Sequence, residues 1–209
     1  MALYVQYGCG WAEQPQSWRN FDASPTLRFE RIPLLGHFYT KNPTRFPSNV
    51  EYGDIVKGLP IKSNSCDGLF ACHVLEHLAL DDFRVALHHS LDYLKPGAPF
   101  RLIVPDLRKL AENYLNSHDP QAAQEFMRDS YLGQEARSRG IRGLVKSWLG
   151  NSSHLWMWDY MSLQHELVIA GFFNIRPCVF GDAFDPLFND VEEASRFVDA
   201  VAIEARKPG

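Results

Sequence analysis

The chain reads LYVQYGCG over residues 3–10 and WRNFD over residues 18–22. The first stretch is an apolar run that ends at a glycine turn, and the second ends at an acid, so both are predicted strands. Glycines at positions 8 and 10 let the backbone come close to a ligand without obstruction by a Cβ atom. Only residues 11–17 join the two stretches, which is too few for a full helix, so the first crossover is predicted to be abbreviated.

Short apolar runs and helical patterns alternate along the rest of the chain. This alternation is typical of a mostly parallel sheet covered by helices on both faces, so the predicted fold class is α/β. The predicted strands cover residues 3–7, 18–21, 50–52, 66–71, 100–104, 173–180 and 197–205. Helices are predicted from Ser24-Pro25 through Leu34, over residues 81–94, and over residues 162–170. We interpret residues 1–209 as a single domain, in which the helical and aromatic stretch 107–160 is an insertion beside the carboxyl edge of the sheet.

Composition and charge exclude several function classes. The formal net charge is −4, and the basic residues are scattered, which argues against nucleic acid as a partner. The basic stretch around residues 137–146 has helical spacing and is interpreted as a solvated helix face. No apolar stretch approaches the length of a membrane span, and the N-terminus lacks the features of an export signal, so we expect a cytoplasmic protein. The cysteines form no CxxC pair and are expected to be reduced: Cys9, Cys66, Cys72 and Cys178.

Residues at the predicted strand ends are the first candidates for a ligand site. Ligands of open α/β sheets bind at the carboxyl ends of the strands, where the strand order reverses. The Gly8–Gly10 turn follows the first strand, Asp22 follows the second, and Asp54 follows the third. An acid after the second strand can accept hydrogen bonds from both hydroxyls of a ribose. Taken singly, a Gly-x-Gly is more often a tight turn and a strand-end Asp more often a helix cap, so the order of the three carries the argument.

The succession of these motifs resembles the class I S-adenosylmethionine-dependent methyltransferases, in particular the methyltransferase type 11 group. The resemblance runs over roughly residues 3–105 and rests on GCG at 8–10, Asp22, GDI at 53–55, CDG at 66–68, HVLEHL at 73–78 and LKPG at 94–97. WRNFD at 18–22 also resembles a subgroup with a short first loop. The resemblance implies a Rossmann-like sheet of seven strands, mostly parallel with the last strand antiparallel, and S-adenosylmethionine as the cofactor.

The resemblance also implies a set of cofactor-binding residues. Tyr7 and the turn at Gly8, Cys9 and Gly10 would hold the methionine part of the cofactor. Asp22 would bind its ribose, Asp54 and Ile55 its adenine, and Cys72 and His73 would lie near the sulfonium. The chain departs from the usual pattern at two places, with Gln6 where an acid is common and Ala12 where a third glycine would stand.

The segment His73-Val74-Leu75-Glu76-His77 matches H-x-x-E-H, in which two histidines one helical turn apart bind zinc. Such a site needs a long helix and a third ligand downstream. Here a predicted strand ends just before His73 and a helix start follows at Asp81. We interpret Glu76 and His77 as residues that fix a strand-to-helix turn, and we predict no metal.

Acceptor binding is predicted at the far side of the cleft. Asp106 follows the fifth strand and is either a base beside the cleft or a helix N-cap. His154, Trp156, Trp158 and Asp159 stand together in one short stretch. Trp156, Trp158 and Asp159 are candidate contacts for a small-molecule or saccharide acceptor, although large aromatics are more often core. The candidate catalytic bases, in order, are His73, Asp106 and His154.

Two other readings of the chain remain open. A nicotinamide-dependent oxidoreductase shares the glycine turn and the strand-end acid, but the chain has neither G-x-G-x-x-G after the first strand nor Tyr-x-x-x-Lys anywhere. The alternative is a non-catalytic cofactor- or partner-binding module that has kept the fold. Glu192, Glu193 and Arg196 are interpreted as either an ion-paired helix start or substrate contacts.

Overall fold

The computed structural model describes residues 2–33, 45–136 and 153–209. The first predicted helix ends at Glu30, with Arg31 as its C-cap, rather than continuing toward Leu34, which lies outside these ranges with the basic stretch 137–146. Across the described ranges, no helix combines the length and the apolar character needed to cross a membrane. All four cysteines carry free thiols.

Seven strands form one sheet in the order β3-β2-β1-β4-β5-β7-β6. The pairs β1–β2, β2–β3, β1–β4 and β4–β5 are parallel, whereas β7 is antiparallel to both β5 and β6. The predicted α/β class, the strand number and the antiparallel last strand are therefore confirmed. The strands are β1 Tyr4–Tyr7, β2 Trp18–Asp22, β3 Val50–Tyr52, β4 Gly68–Cys72, β5 Pro99–Pro105, β6 Phe173–Pro177 and β7 Ala200–Arg206.

Capping side chains mark the starts of three of the five described α-helices. The described α-helices are α1 Pro25–Glu30, α2 Leu80–Tyr93, α3 Leu107–Asn116, α4 Ala122–Asp129 and α5 Tyr160–Ala170. Helix α5 begins two residues before the predicted position because Asp159 accepts a hydrogen bond from the Ser162 amide and forms a capping box with that serine. Gly171, in the left-handed conformation, ends α5 as predicted. Single turns of 3-10 helix occupy Leu75–His77, Pro186–Asp190 and Ala194–Phe197.

One face of the sheet is apolar and is covered by α2 and α5. Side chains of alternate strand positions pack against the buried sides of the two helices, which repeat with helical period. The strand side of this layer includes Val5, Leu69, Phe100, Leu102 and Ile203, and the helix side includes Phe83, Leu87, Leu163 and Leu167. This layer holds most of the buried apolar surface and fixes the position of the strand ends.

The opposite face of the sheet is packed by the segment between β6 and β7. Phe188, from the 3-10 turn Pro186–Asp190, packs against Tyr4, Trp18 and Phe70 of three neighbouring strands. Buried polar side chains share this face, among them Gln6, Asn20, Arg101 and Glu204. The short first crossover supplies no helix here, so the C-terminal segment takes the place of one.

Candidate functional site

A cavity of about 380 Å³ opens at the carboxyl ends of β1 and β4. The crossovers from these two adjacent strands lead in opposite directions, to β2 and to β5, which is the point where open α/β sheets bind ligands. The volume lies within the usual range for small-molecule sites. The lining combines the first glycine turn, the end of β4 and the C-terminal segment: Gln6, Tyr7, Gly8, Cys9, Gly10, Ala12, Glu13, Gln14, Pro15, Phe70, Cys72, His73, Asp190, Val191, Glu192, Glu193 and Arg196. Six predicted cofactor residues are thereby brought together.

The two glycines of the first turn serve different needs. Both have positive φ angles, 70° at Gly8 and 68° at Gly10. A Cβ atom at Gly8 would lie 2.4 Å from Cγ2 of Val74, so this glycine allows the β4 loop to pack against the turn. A Cβ atom at Gly10 would meet nothing within 4 Å. Gly8 is therefore required for packing, and Gly10 for the backbone conformation alone.

Asp22 organises the first turn from the end of β2. Its Oδ2 accepts a hydrogen bond from the Gly10 amide at 2.9 Å, and its Oδ1 accepts one from the Ser24 amide at 2.8 Å. Each carboxylate oxygen keeps a second lone pair, so hydroxyl groups of a ligand can still donate to it. The carboxylate lies beside the cavity lining rather than within it, and its ribose role stays a prediction.

An amide network closes the abbreviated first crossover. The Gln6 amide donates to Oδ1 of Asn20 at 2.7 Å and also to Gln14. Gln14 in turn donates to the Cys9 carbonyl at 2.8 Å. Gln6 thus positions the loop that bears the glycine turn.

The predicted adenine-side residues build the turn after β3. Asp54 accepts a hydrogen bond from the Val56 amide at 3.1 Å and pairs with Lys57 at 2.7 Å. The side chain of Ile55 is buried, and its carbonyl accepts a hydrogen bond from His89. Neither residue lines the cavity, so a ligand would have to extend beyond it to meet them.

His73 ends β4 in a left-handed conformation, with φ 51°. Such a conformation is uncommon for a non-glycine residue and clusters at functional positions. Its Nε2 hydrogen-bonds the Arg196 carbonyl at 2.9 Å, and its Nδ1 lies 3.5 Å from Oε1 of Glu76. Burial lowers the pKa of His73, but the Glu76 carboxylate and the Arg196 carbonyl outweigh burial and raise it overall. The ring is therefore held as a donor between the β4 loop and the C-terminal segment.

The two cysteines of the cavity are poor nucleophiles. Burial raises the pKa of both the Cys9 and the Cys72 thiol to about 12, so both are protonated at neutral pH. Their contribution to the cavity is apolar contact.

The C-terminal wall of the cavity includes Glu192, Glu193 and Arg196, which the sequence left open as an ion-paired helix start or substrate contacts, but sequence reasoning missed its link to the sheet. Glu192 is buried, and its Oε1 accepts a hydrogen bond from Nε of Arg101 at 2.7 Å. Arg101 is 1% exposed and also pairs with Glu204 on the adjacent strand and with Asp182. A charged residue inside an apolar strand pattern needs buried partners, and Arg101 was the signal for this wall. The pairing holds Asp190, Glu193 and Arg196 at the cavity alongside Glu192, whereas Glu13 lines it from the first crossover.

A second polar cluster lies where the β4 loop meets the segment 153–158. Glu76, His77 and His154 carry potential ligand atoms that all lie within 4.8 Å of one another. The Glu76 carbonyl accepts hydrogen bonds from the amides of Leu155 at 2.8 Å and Trp156 at 3.1 Å. Burial lowers the pKa of His154, although the Glu76 carboxylate opposes this. His154 is thus enclosed rather than turned toward the cavity.

The predicted acceptor residues separate into surface and core. Trp156 is 42% exposed, whereas Trp158 is 2% exposed and packs on Phe83 with ring centroids 4.2 Å apart. Trp158 therefore belongs to the core in this structure, and Trp156 alone of the pair is open to a ligand. Asp159 caps α5, and Asp106 caps α3 by accepting a hydrogen bond from the Arg108 amide. Asp106 is therefore the helix N-cap that was one of its two predicted roles, and its carboxylate remains partly exposed at the end of β5.

The fold has relatives among solved structures. No family model and no curated protein matches the chain. An S-adenosylmethionine-dependent methyltransferase from Thermotoga maritima is 15% identical with a TM-score of 0.52, covering 99% of this chain and 83% of that one. One from Archaeoglobus fulgidus is 15% identical with a TM-score of 0.50, covering 99% and 86%. Phosphoethanolamine N-methyltransferase 2 from Haemonchus contortus is 11% identical with a TM-score of 0.51, covering 100% of this chain and 49% of that one.

The strand order and the single antiparallel strand β7 agree with these comparisons. The chain has the fold of the class I S-adenosylmethionine-dependent methyltransferases.

Proposed function

We propose that the protein is an S-adenosylmethionine-dependent methyltransferase that acts on a small-molecule or saccharide acceptor. The observation that carries this proposal is the cavity at the β1 and β4 ends, framed by the Gly8–Gly10 turn on one side and residues 190–196 on the other. It combines the position where this fold class binds ligands with a backbone turn that leaves room for one. At 11–15% identity, the solved relatives support the fold alone. The proposed activity therefore rests on the site.

The charge of the cavity supports a cationic ligand. Four carboxylate side chains line it, those of Glu13, Asp190, Glu192 and Glu193, and the lining stays net negative after Arg196 in the lining and Arg101 behind Glu192 are counted. S-adenosylmethionine carries a sulfonium and an ammonium group, which such a lining attracts. A nicotinamide dinucleotide would bring its anionic pyrophosphate into the same field. The C-terminal acids thus supply the negative charge that Gln6 does not.

The cofactor would supply an activated methyl group. The chain's own residues would hold and orient the cofactor and exclude water. The turn at Gly8–Gly10 would hold the methionine part, and Cys72 and His73 would contact the region of the sulfonium. Asp22, with a lone pair left on each oxygen, would accept ribose hydroxyls, and Asp54 and Ile55 would border the adenine. In-line displacement needs mainly this alignment, because little covalent chemistry is asked of the protein.

On the acceptor side, Trp156 is exposed, and Asp106 and Asp159 are partly exposed. A tryptophan face suits a sugar or another ring, and a carboxylate at the end of β5 can take a proton from a hydroxyl or amine. His73 is held between Glu76 and the Arg196 carbonyl, and His154 is enclosed. Asp106 is therefore the candidate base that the geometry favours, with Asp159 as a further acceptor contact near the start of α5.

A matched pair of glycine variants tests the proposal. Gly10 and Gly97 have φ angles of 68° and 78°, and a Cβ atom at either would meet nothing within 4 Å. Alanine at either position costs roughly 1–2 kcal/mol of backbone strain. Only Gly10 lines the cavity.

Calorimetric titration with S-adenosylmethionine and S-adenosylhomocysteine is expected to show micromolar binding by the wild type and by G97A. G10A should bind about tenfold to a hundredfold more weakly, a loss of about 1.4–2.7 kcal/mol. Binding of a nicotinamide dinucleotide in preference to either ligand, or equal affinities of G10A and G97A, would contradict the assigned site.

A second candidate function is cofactor binding without methyl transfer. The observation in its favour is Gln6, whose amide is committed to Gln14 and Asn20 and offers the cofactor no carboxylate. Incubation with methyl-tritiated S-adenosylmethionine and panels of sugars, amines and phenols separates the two candidates. Transfer of label to any acceptor establishes the enzyme, whereas tight binding with no transfer favours the binding module.

A further inference from the structure

The cluster of Glu76, His77 and His154 lies outside the proposed cofactor cavity and adjoins it only through His73, which lies 3.5 Å from Glu76. His77 and Glu76 belong to the 3-10 turn after β4, and His154 comes from the far end of the insertion. Their rings and carboxylate lie together where the β4 loop meets the segment 153–158, and the two imidazole centroids are 4.9 Å apart. A glutamate and two histidines are the donor set of many zinc sites.

Glu76 is the observation that points to a ligand. Its side chain is 1% exposed, and in the described part of the chain neither carboxylate oxygen has a hydrogen-bond partner. The nearest cationic candidates are Nδ1 of His73 at 3.5 Å and Nε2 of His154 at 3.9 Å from Oε1, both beyond hydrogen-bond length. An unpaired buried carboxylate is costly, so the site calls for a positive charge.

The two histidines are oriented as metal ligands are. Nδ1 of His77 lies 3.1 Å from the Ser153 carbonyl, which accepts its proton and leaves the Nε2 lone pair for an ion. Nδ1 of His154 faces Sδ of Met157 at 3.3 Å, and its Nε2 faces Glu76. A backbone or side-chain acceptor behind the distal ring nitrogen is the usual support of a metal-binding histidine.

We propose that Glu76, His77 and His154 bind one divalent cation of the zinc class. Tetrahedral zinc with bonds of about 2.0–2.1 Å separates its ligand atoms by about 3.3 Å, so the cluster must contract by at most about 1.5 Å to close on it. Three protein ligands leave a fourth position for water. The ion joins the β4 loop to the segment 153–158, where the Glu76 carbonyl already binds the amides of Leu155 and Trp156. It therefore fixes the exposed Trp156, whose amide donates to the Glu76 carbonyl.

The test uses tag-free protein that has been stripped with a chelator. Zn²⁺ is titrated in competition with a chromophoric chelator, and Co²⁺ is added separately to record its visible absorption. We expect one Zn²⁺ per chain and the intense bands of four-coordinate Co²⁺. H77N, H154N and E76Q should each bind at least a hundredfold more weakly, since loss of a direct ligand costs more than loss of its supporting partner. H88N, at an exposed position on α2, should bind like the wild type.

A measurement on the wild type alone guards against variants that fail to fold. Zn²⁺ is expected to slow hydrogen exchange at the Leu155 and Trp156 amides while leaving the amides of β5 unchanged. Absence of Zn²⁺ binding by the wild type, or affinities of H154N and H77N equal to that of the wild type, would overturn the proposal and assign Glu76 to a histidinium partner. Loss of binding in C72S with retention in H154N would overturn it equally, by placing the ion in the cofactor cavity.

Discussion

The two faces of the sheet are built on different principles. Under α2 and α5 the face is apolar, with side chains such as Leu87 and Leu163 fully buried against the strands. Under the C-terminal segment the face carries Arg101 paired with Glu192, Glu204 and Asp182, beside the aromatic cluster around Phe188. The apolar face holds the fold, whereas the charged face holds one wall of the cavity.

This difference shows how the cavity is coupled to the sheet. Arg101 lies in the middle of β5, and Glu192 precedes two further cavity residues, Glu193 and Arg196. An ion pair reaches across the sheet surface with a fixed geometry that apolar packing would not impose. The acids of the wall are thereby held near the Gly8–Gly10 turn.

The largest expected effect comes from breaking the charged face. R101M leaves the buried Glu192 without its cation and leaves Glu204 and the partly exposed Asp182 with Arg176 alone in place of two arginines, so the free energy of unfolding should fall by about 3–5 kcal/mol. Urea denaturation followed by tryptophan fluorescence measures it. R84M, which removes the half-exposed Arg84–Glu166 pair, is the control and should cost at most about 1 kcal/mol. Equal losses in the two variants would mean that the Arg101 cluster is no more than a surface network.

A void created by mutation in the apolar face sharpens the comparison of the two faces. L87A removes a fully buried side chain and should cost about 2–5 kcal/mol of unfolding free energy. Because Leu87 lies away from the cavity wall, the folded variant should bind S-adenosylhomocysteine as the wild type does. R101M should bind it more weakly at the same temperature. The account fails if L87A weakens ligand binding as much as R101M.

The pH dependence of stability tests the charged face without changing its shape. Burial raises the pKa of Asp182, but hydrogen bonds from Arg176, Val179 and Arg101 outweigh burial and lower it below its usual 3.8. A lowered folded-state pKa contributes stability above pH 3.8 that is lost as the pH falls through the folded-state value. Denaturant midpoints in acid should therefore fall more steeply for the wild type than for D182N. Parallel pH profiles would remove Asp182 from the network.

The smallest effects separate the cap from the base at Asp106. D106A removes the N-cap of α3 and should cost about 1 kcal/mol, whereas D106N keeps a capping oxygen and should cost a few tenths. If Asp106 is the base, D106N should lose turnover, measured with an identified acceptor, and should keep the affinity of the wild type for the cofactor. Turnover retained in D106N and reduced only in the less stable D106A would leave Asp106 as a cap.

Strand and helix positions could be predicted because their signals are local. A glycine turn after Tyr7, a proline after Ser24 and a glycine at 171 mark element ends whatever the rest of the chain does. The start of α5 moved by two residues because a capping side chain, not the apolar pattern, decides it. The Gly8–Gly10 turn was found for the same reason, since strand ends in such a sheet meet at one edge, whereas Cys72 and His73 came from the resemblance carried by HVLEHL at 73–78.

The rest of the site could not be predicted because the residues that pair there are distant in sequence and follow no periodic pattern. Arg101 and Glu192 are 91 residues apart, and nothing local connects them. Trp156 and Trp158 look alike in sequence, yet Phe83 of α2 covers only Trp158. His154 joins Glu76 for the same non-local reason, which is why the turn after β4 gave no sign of a third partner.

Hydrogen exchange with and without S-adenosylhomocysteine tests the central claim most directly, because it locates the ligand. The account predicts slower exchange of backbone amides at both walls of the cavity, residues 8–10 and 190–196, with no change around Gly97. Protection confined to the groove lined by Leu107, Leu115 and Asp159, or no protection at all, would contradict a cofactor site at the ends of β1 and β4.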